Sequence, residues 1–92
     1  NYALKILKKS VIFKNDELES LAAEREVFLM IKQQPCPFLV ECHGIFQTDS
    51  RIIFVMEFVG GGDLMFHIQR TRFTEEQARF FAAEVFIALE YL

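Results

Sequence analysis

Residues 51–58, RIIFVMEF, set the first constraint on this chain. Side chains in a strand alternate between faces. This segment is apolar on both, so it reads as a strand that needs cover on both sides. Residues 38–47 read as a strand before it, and Thr48, Asp49 and Ser50 supply the turn chemistry that joins the two as a hairpin. VGGGD (59–63) then ends the second strand.

The rest of the chain mixes strand and helix patterns, which gives an α+β fold class. Residues 2–8 alternate as a strand. Tyr2, Leu4 and Ile6 share one face, and Ala3, Lys5 and Leu7 share the other. From Asp16 to Lys32 the period is helical, and Asp16 with Glu19 resembles a capping box. Pro35 and Pro37 stop that helix. A short helix is expected from Leu64 to Thr71, with Asp63 as its cap. A last helix opens at Thr74, with Gln77 as its capping-box partner. From Ala78 to Leu92 it is apolar nearly all round, broken only by Arg79, Glu84 and Glu90, as a helix in the middle of a core would be.

Composition narrows the class. The chain has 92 residues, is 52% hydrophobic and carries eleven Phe. A domain of that length seldom needs so much core, so a piece of a larger fold is expected. Asn1 entering a strand at once, without Met or leader, and Leu92 lying in an apolar run without a stop signal fit that expectation. The net charge is −3, with basic residues leading at Lys5, Lys8, Lys9 and Lys14 and acids following from Asp16 to Glu26; this is ordinary surface without a basic stripe, which argues against a nucleic-acid partner. Cys36 and Cys42 form no CxxC pair and suggest a reducing compartment. No segment is long and apolar enough to span a membrane as a helix.

Several motifs carry less than they suggest. Gly60 to Gly62 are not a phosphate loop, because no Lys-Ser or Lys-Thr follows. His43 and His67 with the two cysteines match no common zinc spacing, so no metal site is expected. Met30, Met56 and Met65 are core fillers by default. Only Met56 has a positional case, at the end of a buried strand just before a glycine turn.

Two charges stand where apolar residues are expected. Lys5 lies on the strand face with Ala3 and Leu7. Glu24 lies on the helix stripe of Leu18, Leu21, Phe28 and Ile31. Singly, each has a plain reading: Lys5 snorkels to solvent, and Glu24 is a tolerated surface residue. Jointly, one charge on each facing surface points to an ion pair, since a buried charge is costly without a partner. An ion pair is weak grounds for stability, so a functional reason is expected. A lysine held by a glutamate suits phosphate oxygens.

These residues resemble a family. YALK (2–5) is similar to the VAIK strand motif of protein kinases, and EREVFLM (24–30) to the helix that supplies the partner Glu. HGIFQTDSRIIFVMEFVGGGDLMFHIQ (43–69) resembles the hairpin, hinge and following helix of the protein kinase C branch of the AGC serine/threonine kinases, with protein kinase N close behind. ARFFAAEVFIALEYL (78–92) resembles the long core helix of the C-lobe. The resemblance runs the whole chain, and the motifs appear in order.

It implies a partial protein kinase-like fold: N-lobe strands and helix C over 1–56, hinge over 57–63, and the first C-lobe helices over 64–92. It implies that Lys5 contacts the α- and β-phosphates of ATP and that Glu24 orients it. Ala3 would touch adenine, and Met56 would be the gatekeeper. Glu57 and Val59 would offer hinge backbone groups with Phe58 between them. Asp63 would accept from the ribose hydroxyls, and Leu64 would continue the apolar stack under adenine. Phe28 and Cys42 match two members of the regulatory hydrophobic column. Cys42 departs from the usual Leu, which puts the column's rigidity in doubt, and GGGD departs from the usual Asn-Gly-Gly-Asp.

The function implied is transfer of the ATP γ-phosphate to Ser or Thr of a protein substrate. The alternative is a nucleotide-binding pseudokinase or scaffold of the same fold. An unrelated α+β interaction module is disfavoured by the motif order. The Gly-rich loop, the catalytic Asp, the Mg²⁺ ligands and the Asp-Phe-Gly segment are not among these residues. The 92 residues alone are therefore expected to be inactive. A cytoplasmic location is implied, with any membrane recruitment through modules outside this chain.

Overall fold

The computed structural model describes all residues 1–92. In chain order the elements are β1 (Tyr2–Lys8), α1 (Lys9–Lys14), α2 (Leu18–Gln33), β2 (Cys42–Gln47), β3 (Arg51–Glu57), α3 (Leu64–Arg70) and α4 (Glu75–Tyr91). They form two compact units, Asn1–Phe58 and Val59–Leu92.

The first unit is built on a three-stranded antiparallel sheet in the order β1-β3-β2. The doubly apolar strand is the central one. A turn joins β2 to β3 where the sequence places it: Thr48 N–H donates to Arg51 O at 2.8 Å, and Arg51 N–H donates to Thr48 Oγ1 at 3.1 Å. Register sets which side chains meet. Lys5 stands opposite Phe54, and Ala3 opposite Met56. On the other side of β3, Cys42 stands opposite Met56 and Ile45 opposite Phe54. Cys42 and Ile45 are three apart, so a regular strand would turn them to opposite faces. A bulge between Cys42 and Gly44 absorbs the extra residue and keeps both on one face.

That face is the covered one. Phe54 is 1% exposed, and its ring lies 5.7 Å from that of Phe28 on α2. Burying a Phe side chain contributes roughly 1.5–3 kcal/mol. The stripe of α2 that turns inward is Leu21, Glu24, Phe28 and Ile31, with Ile31 fully buried and Leu18 left exposed. The second face of the sheet stays open within this chain. Tyr2, Leu4, Ile6 and Phe46 are all more than half exposed there. The expectation of cover on both sides of β3 is thus met on one side only, because α2 is the helix whose rings reach the sheet.

Three local expectations need correction. The strand expected over 38–47 begins at Cys42. Pro35 and Pro37 have no N–H to give, and Leu39 N–H closes a turn on Cys36 O at 3.1 Å. A short helix, α1, follows β1 where none was expected. Lys9 N–H donates to Ser50 O at 2.9 Å at its start, and Ile12 is buried at 3% exposure. The capping box of Asp16 and Glu19 does not form. Asp16 has φ 52°, in the left-handed region, between α1 and α2. The cap position of α2 falls to Glu17, which is not extended either and whose side chain makes no capping hydrogen bond.

In the second unit both expected caps are present. Asp63 Oδ1 accepts from Met65 N–H at 2.8 Å. Thr74 and Gln77 exchange bonds of 3.1 and 3.0 Å, a complete capping box. Phe73 stacks on Phe81 with centroids 5.2 Å apart. Around them Leu64, Ile68, Val85 and Phe86 line an open apolar hollow of about 320 Å³. No residue of α4 is buried. A helix with the sequence of a core element therefore shows Phe80 and Phe86 to solvent at 62% and 70% exposure.

Exposed apolar surface on that scale promotes association. The isolated 92-residue chain is expected to self-associate in dilute buffer and to show no phosphoryl transfer. Sedimentation velocity checks the first part; a monodisperse monomer that melts cooperatively would refute it.

Candidate functional site

Lys5 and Glu24 are brought together. The Lys5 ammonium donates to Glu24 Oε1 at 2.7 Å, joining the middle of β1 to the inward stripe of α2. The same ammonium lies 6.0 Å from the centroid of the Phe54 ring, as the register dictates. Phe54 therefore supports the lysine from beneath, a contact that the sequence did not announce. The attraction of a cation for a ring face contributes in the same direction.

One premise of the pairing is corrected. Neither charge is buried: the Lys5 and Glu24 side chains keep 41% and 32% of their exposure, and the chain has no buried charged residue. The pair sits at the margin of the core, where the lysine stem packs and its head meets water. Desolvation is thus not what forces the two together. Geometry is: a strand and a helix packed through Phe54 and Phe28 present both side chains at the same gap. The open side leaves the ammonium with donors free to face a ligand.

The other expected residues of the first unit follow the same strand pair. Met56 stands between Ala3 on β1 and Cys42 on β2. Ala3, Lys5, Phe54 and Met56 therefore line one sheet face. Glu57 N–H donates to Glu41 O at 2.9 Å, so the backbone group Glu57 can offer elsewhere is its carbonyl. Phe58 ends the unit and is exposed. Cys42 is buried, donates to Gly44 O at 3.4 Å, and helps line a groove of about 470 Å³ with Leu21, Arg25, Phe28 and Phe54. Open space beside Cys42 is in line with its side chain being smaller than the usual Leu.

In the second unit Val59 and Leu64 are exposed, and Asp63 stands at the start of α3. Its carboxylate caps the helix through one oxygen, and the second oxygen remains for another donor. Gly62 has φ 91°, where a side chain is strained. His67, read from sequence as a plain surface or interior residue, reaches back over this turn: its Nε2 lies 2.6 Å from Gly61 O. A histidine four positions after the capping Asp, above a run of glycines, was the signal available. His43 packs edge-on against Tyr2. No three His, Cys, Asp or Glu side chains converge as metal ligands. No helix is long and apolar enough to cross a membrane.

A small antiparallel sheet, a helix packed on it with a lysine–glutamate pair bridging to its edge strand, and a glycine turn leading into two helices define part of a kinase-type α+β fold. The model of the protein kinase domain family matches residues 1–92, and the chain belongs to that family. It is 54% identical over 90 residues to protein kinase C-like 2 of Schizosaccharomyces pombe, covering 98% of this chain and 9% of that protein. Protein kinase C of Aspergillus fumigatus is 52% identical over 90 residues, with 98% and 8% covered. Protein kinase C-like 1B of Caenorhabditis elegans is 51% identical over 92 residues, with 99% and 13% covered. The chain thus spans about a tenth of the length of these relatives.

The exposure of the pair fixes what its loss does to folding. An ion pair this open is worth at most about 1 kcal/mol. In the full-length protein, Glu24→Gln is expected to change unfolding stability by less than that. Denaturant unfolding followed by fluorescence checks it, and a loss of several kcal/mol would mean that the pair holds the fold.

Proposed function

We propose that this chain is the ATP-holding part of a serine/threonine protein kinase. The observation that carries the reading is the 2.7 Å contact of Lys5 with Glu24 on the sheet face that also bears Ala3 and Met56. The membership of the chain in the protein kinase domain family supports it, as does its similarity to proteins named protein kinase C. Those relatives carry the serine/threonine reading.

The roles follow from charge and position. Phosphate oxygens carry the negative charge that an ammonium stabilises, and a site is effective when that ammonium is already in place. Glu24 holds Lys5 against free rotation, and Phe54 supports it from below. Lys5 then contacts the α- and β-phosphates. Ala3 leaves room for the adenine ring, with Met56 at the back of the pocket. The Glu57 carbonyl and the Val59 backbone meet the edge of adenine, with Phe58 between them and Leu64 continuing the apolar stack. Asp63 accepts from the ribose hydroxyls with the oxygen that the cap leaves over. The Mg²⁺ that the family implies takes its ligands from outside these residues, as does the base for the substrate hydroxyl. The protein substrate, a cytoplasmic location and any membrane recruitment belong to the same proposal.

A nucleotide-binding pseudokinase would keep the same pocket. The presence of both Lys5 and Glu24 favours the active reading, since loss of either is a frequent pseudokinase mark.

In the full-length protein, Lys5→Met is expected to lower turnover by at least about 10²-fold, the scale of one preorganised electrostatic contact. Glu24→Gln is expected to act in the same direction, and the double variant to lose less than the sum, because the two act as one unit. Steady-state kinase assays check both. Wild-type turnover in Lys5→Met would remove the proposed role of Lys5, and full additivity would remove the pairing from the mechanism.

A further inference from the structure

The GGG turn is the least constrained stretch of the second unit by sequence. Three successive glycines allow many backbone conformations, and no residue of α3 is buried to hold the turn from below. Yet the proposed role of Asp63 requires its second carboxylate oxygen to be held in one direction. Two bonds from His67 bracket Asp63, one made by its side chain and the other the ordinary helical backbone bond of α3 that any residue at this position makes. The ring Nε2 lies 2.6 Å from Gly61 O, two residues before Asp63, and the His67 N–H donates to Asp63 O at 3.4 Å. A carbonyl only accepts, so the ring nitrogen facing it carries the proton. Phe66 packs edge-on against the His67 ring with centroids 5.5 Å apart, and Arg70 lies over Phe66 at 4.3 Å. Gly62 lies directly under the ring: a side-chain carbon there would sit 3.5 Å from Nε2, and its φ of 91° suits glycine alone.

We infer that His67 is a positioning residue for the nucleotide ribose. Its Nε2–H closes the turn on the Gly61 carbonyl and so fixes the path of the backbone that carries Asp63, while the Met65 N–H holds the carboxylate on that backbone. It touches no substrate. The inference rests on the proposed ribose contact of Asp63. A loose turn leaves Asp63 able to cap α3 and makes it order itself only when nucleotide binds. The loss then appears in nucleotide binding and not in the chemical step.

The test uses the full-length kinase. His67→Phe keeps a ring of similar shape and removes the donor, and His67→Gln restores a donor at comparable reach. Asp63→Asn serves as the reference. Each is assayed with ATP and with 2′,3′-dideoxy-ATP, which lacks the hydroxyls Asp63 would bind. His67→Phe is expected to raise KM for ATP about 3- to 10-fold, the scale of one hydrogen bond, with kcat within about twofold. His67→Gln should recover most of that loss, and with the dideoxy nucleotide His67→Phe should match wild type. If Asp63→Asn raises KM for ATP while His67→Phe does not, the latch is refuted and the ribose contact stands. An equal rise for both nucleotides in His67→Phe also refutes it, since the effect would not pass through the ribose. If Asp63→Asn and Asp63→Ser, which keeps an oxygen for the cap and lacks the second acceptor, both leave KM for ATP unchanged, the ribose contact itself is refuted, and the role of His67 falls with it.

Discussion

The burial of Phe54 is the constraint on which the first unit depends. It occupies the middle of the central strand and is the most completely enclosed side chain in the chain. Phe28 reaches it from α2, Ile45 faces it from β2, and Lys5 faces it from β1. A helix that packs on this ring through Phe28 brings the residue one turn earlier on its stripe, Glu24, over the edge strand. The ion pair is thus a consequence of an apolar contact. Fixing the apolar contact fixes the distance between the charges.

That order of causes explains why the pair stays partly open. A fully buried lysine and glutamate would face a large desolvation cost. A fully solvated pair would be mobile and screened. With Lys5 opposite Phe54 in the register and its ammonium 6.0 Å from that ring and partly exposed, position is set by packing while charge stays available. This arrangement adds little to stability and leaves the ammonium accessible from the open side. On the same sheet face the small Ala3 stands opposite Met56 on one side of the lysine, and Leu7 lies on the other.

Long-period features of the sequence proved legible, and those settled by one or two backbone bonds did not. The alternation of β1 and the Thr74 capping box appear as read, β3 is the central strand but covered on one face only, and the stripe of α2 holds from Leu21 to Ile31 with Leu18 left exposed. The helix α1 was missed because six residues carry no period, and its β-branched Val11 and Ile12 argue for strand. Asp16 misled for a related reason. Aspartate suits both an N-cap and a left-handed turn, and a helix ending two residues earlier decided for the turn. The meeting of Lys5 and Glu24 was legible from their misfit with their own faces. Phe54 beneath them was not, since register is set by the pairing and not by composition.

The two units control position by different physics. In the first, an enclosed aromatic ring places a charge, and many contacts would have to fail before it moved. In the second, α3 and α4 bury no residue within this chain. What orders the turn at Gly61 to Asp63 is a handful of exposed hydrogen bonds, each worth little alone in water. Such a segment opens at low free energy, so a single donor carries a large share of its order. A glycine turn gives the chain a tight path, and its freedom has to be removed locally. The side chain within reach is His67, and this is why a residue with no catalytic chemistry of its own becomes a determinant of where the Asp63 carboxylate points.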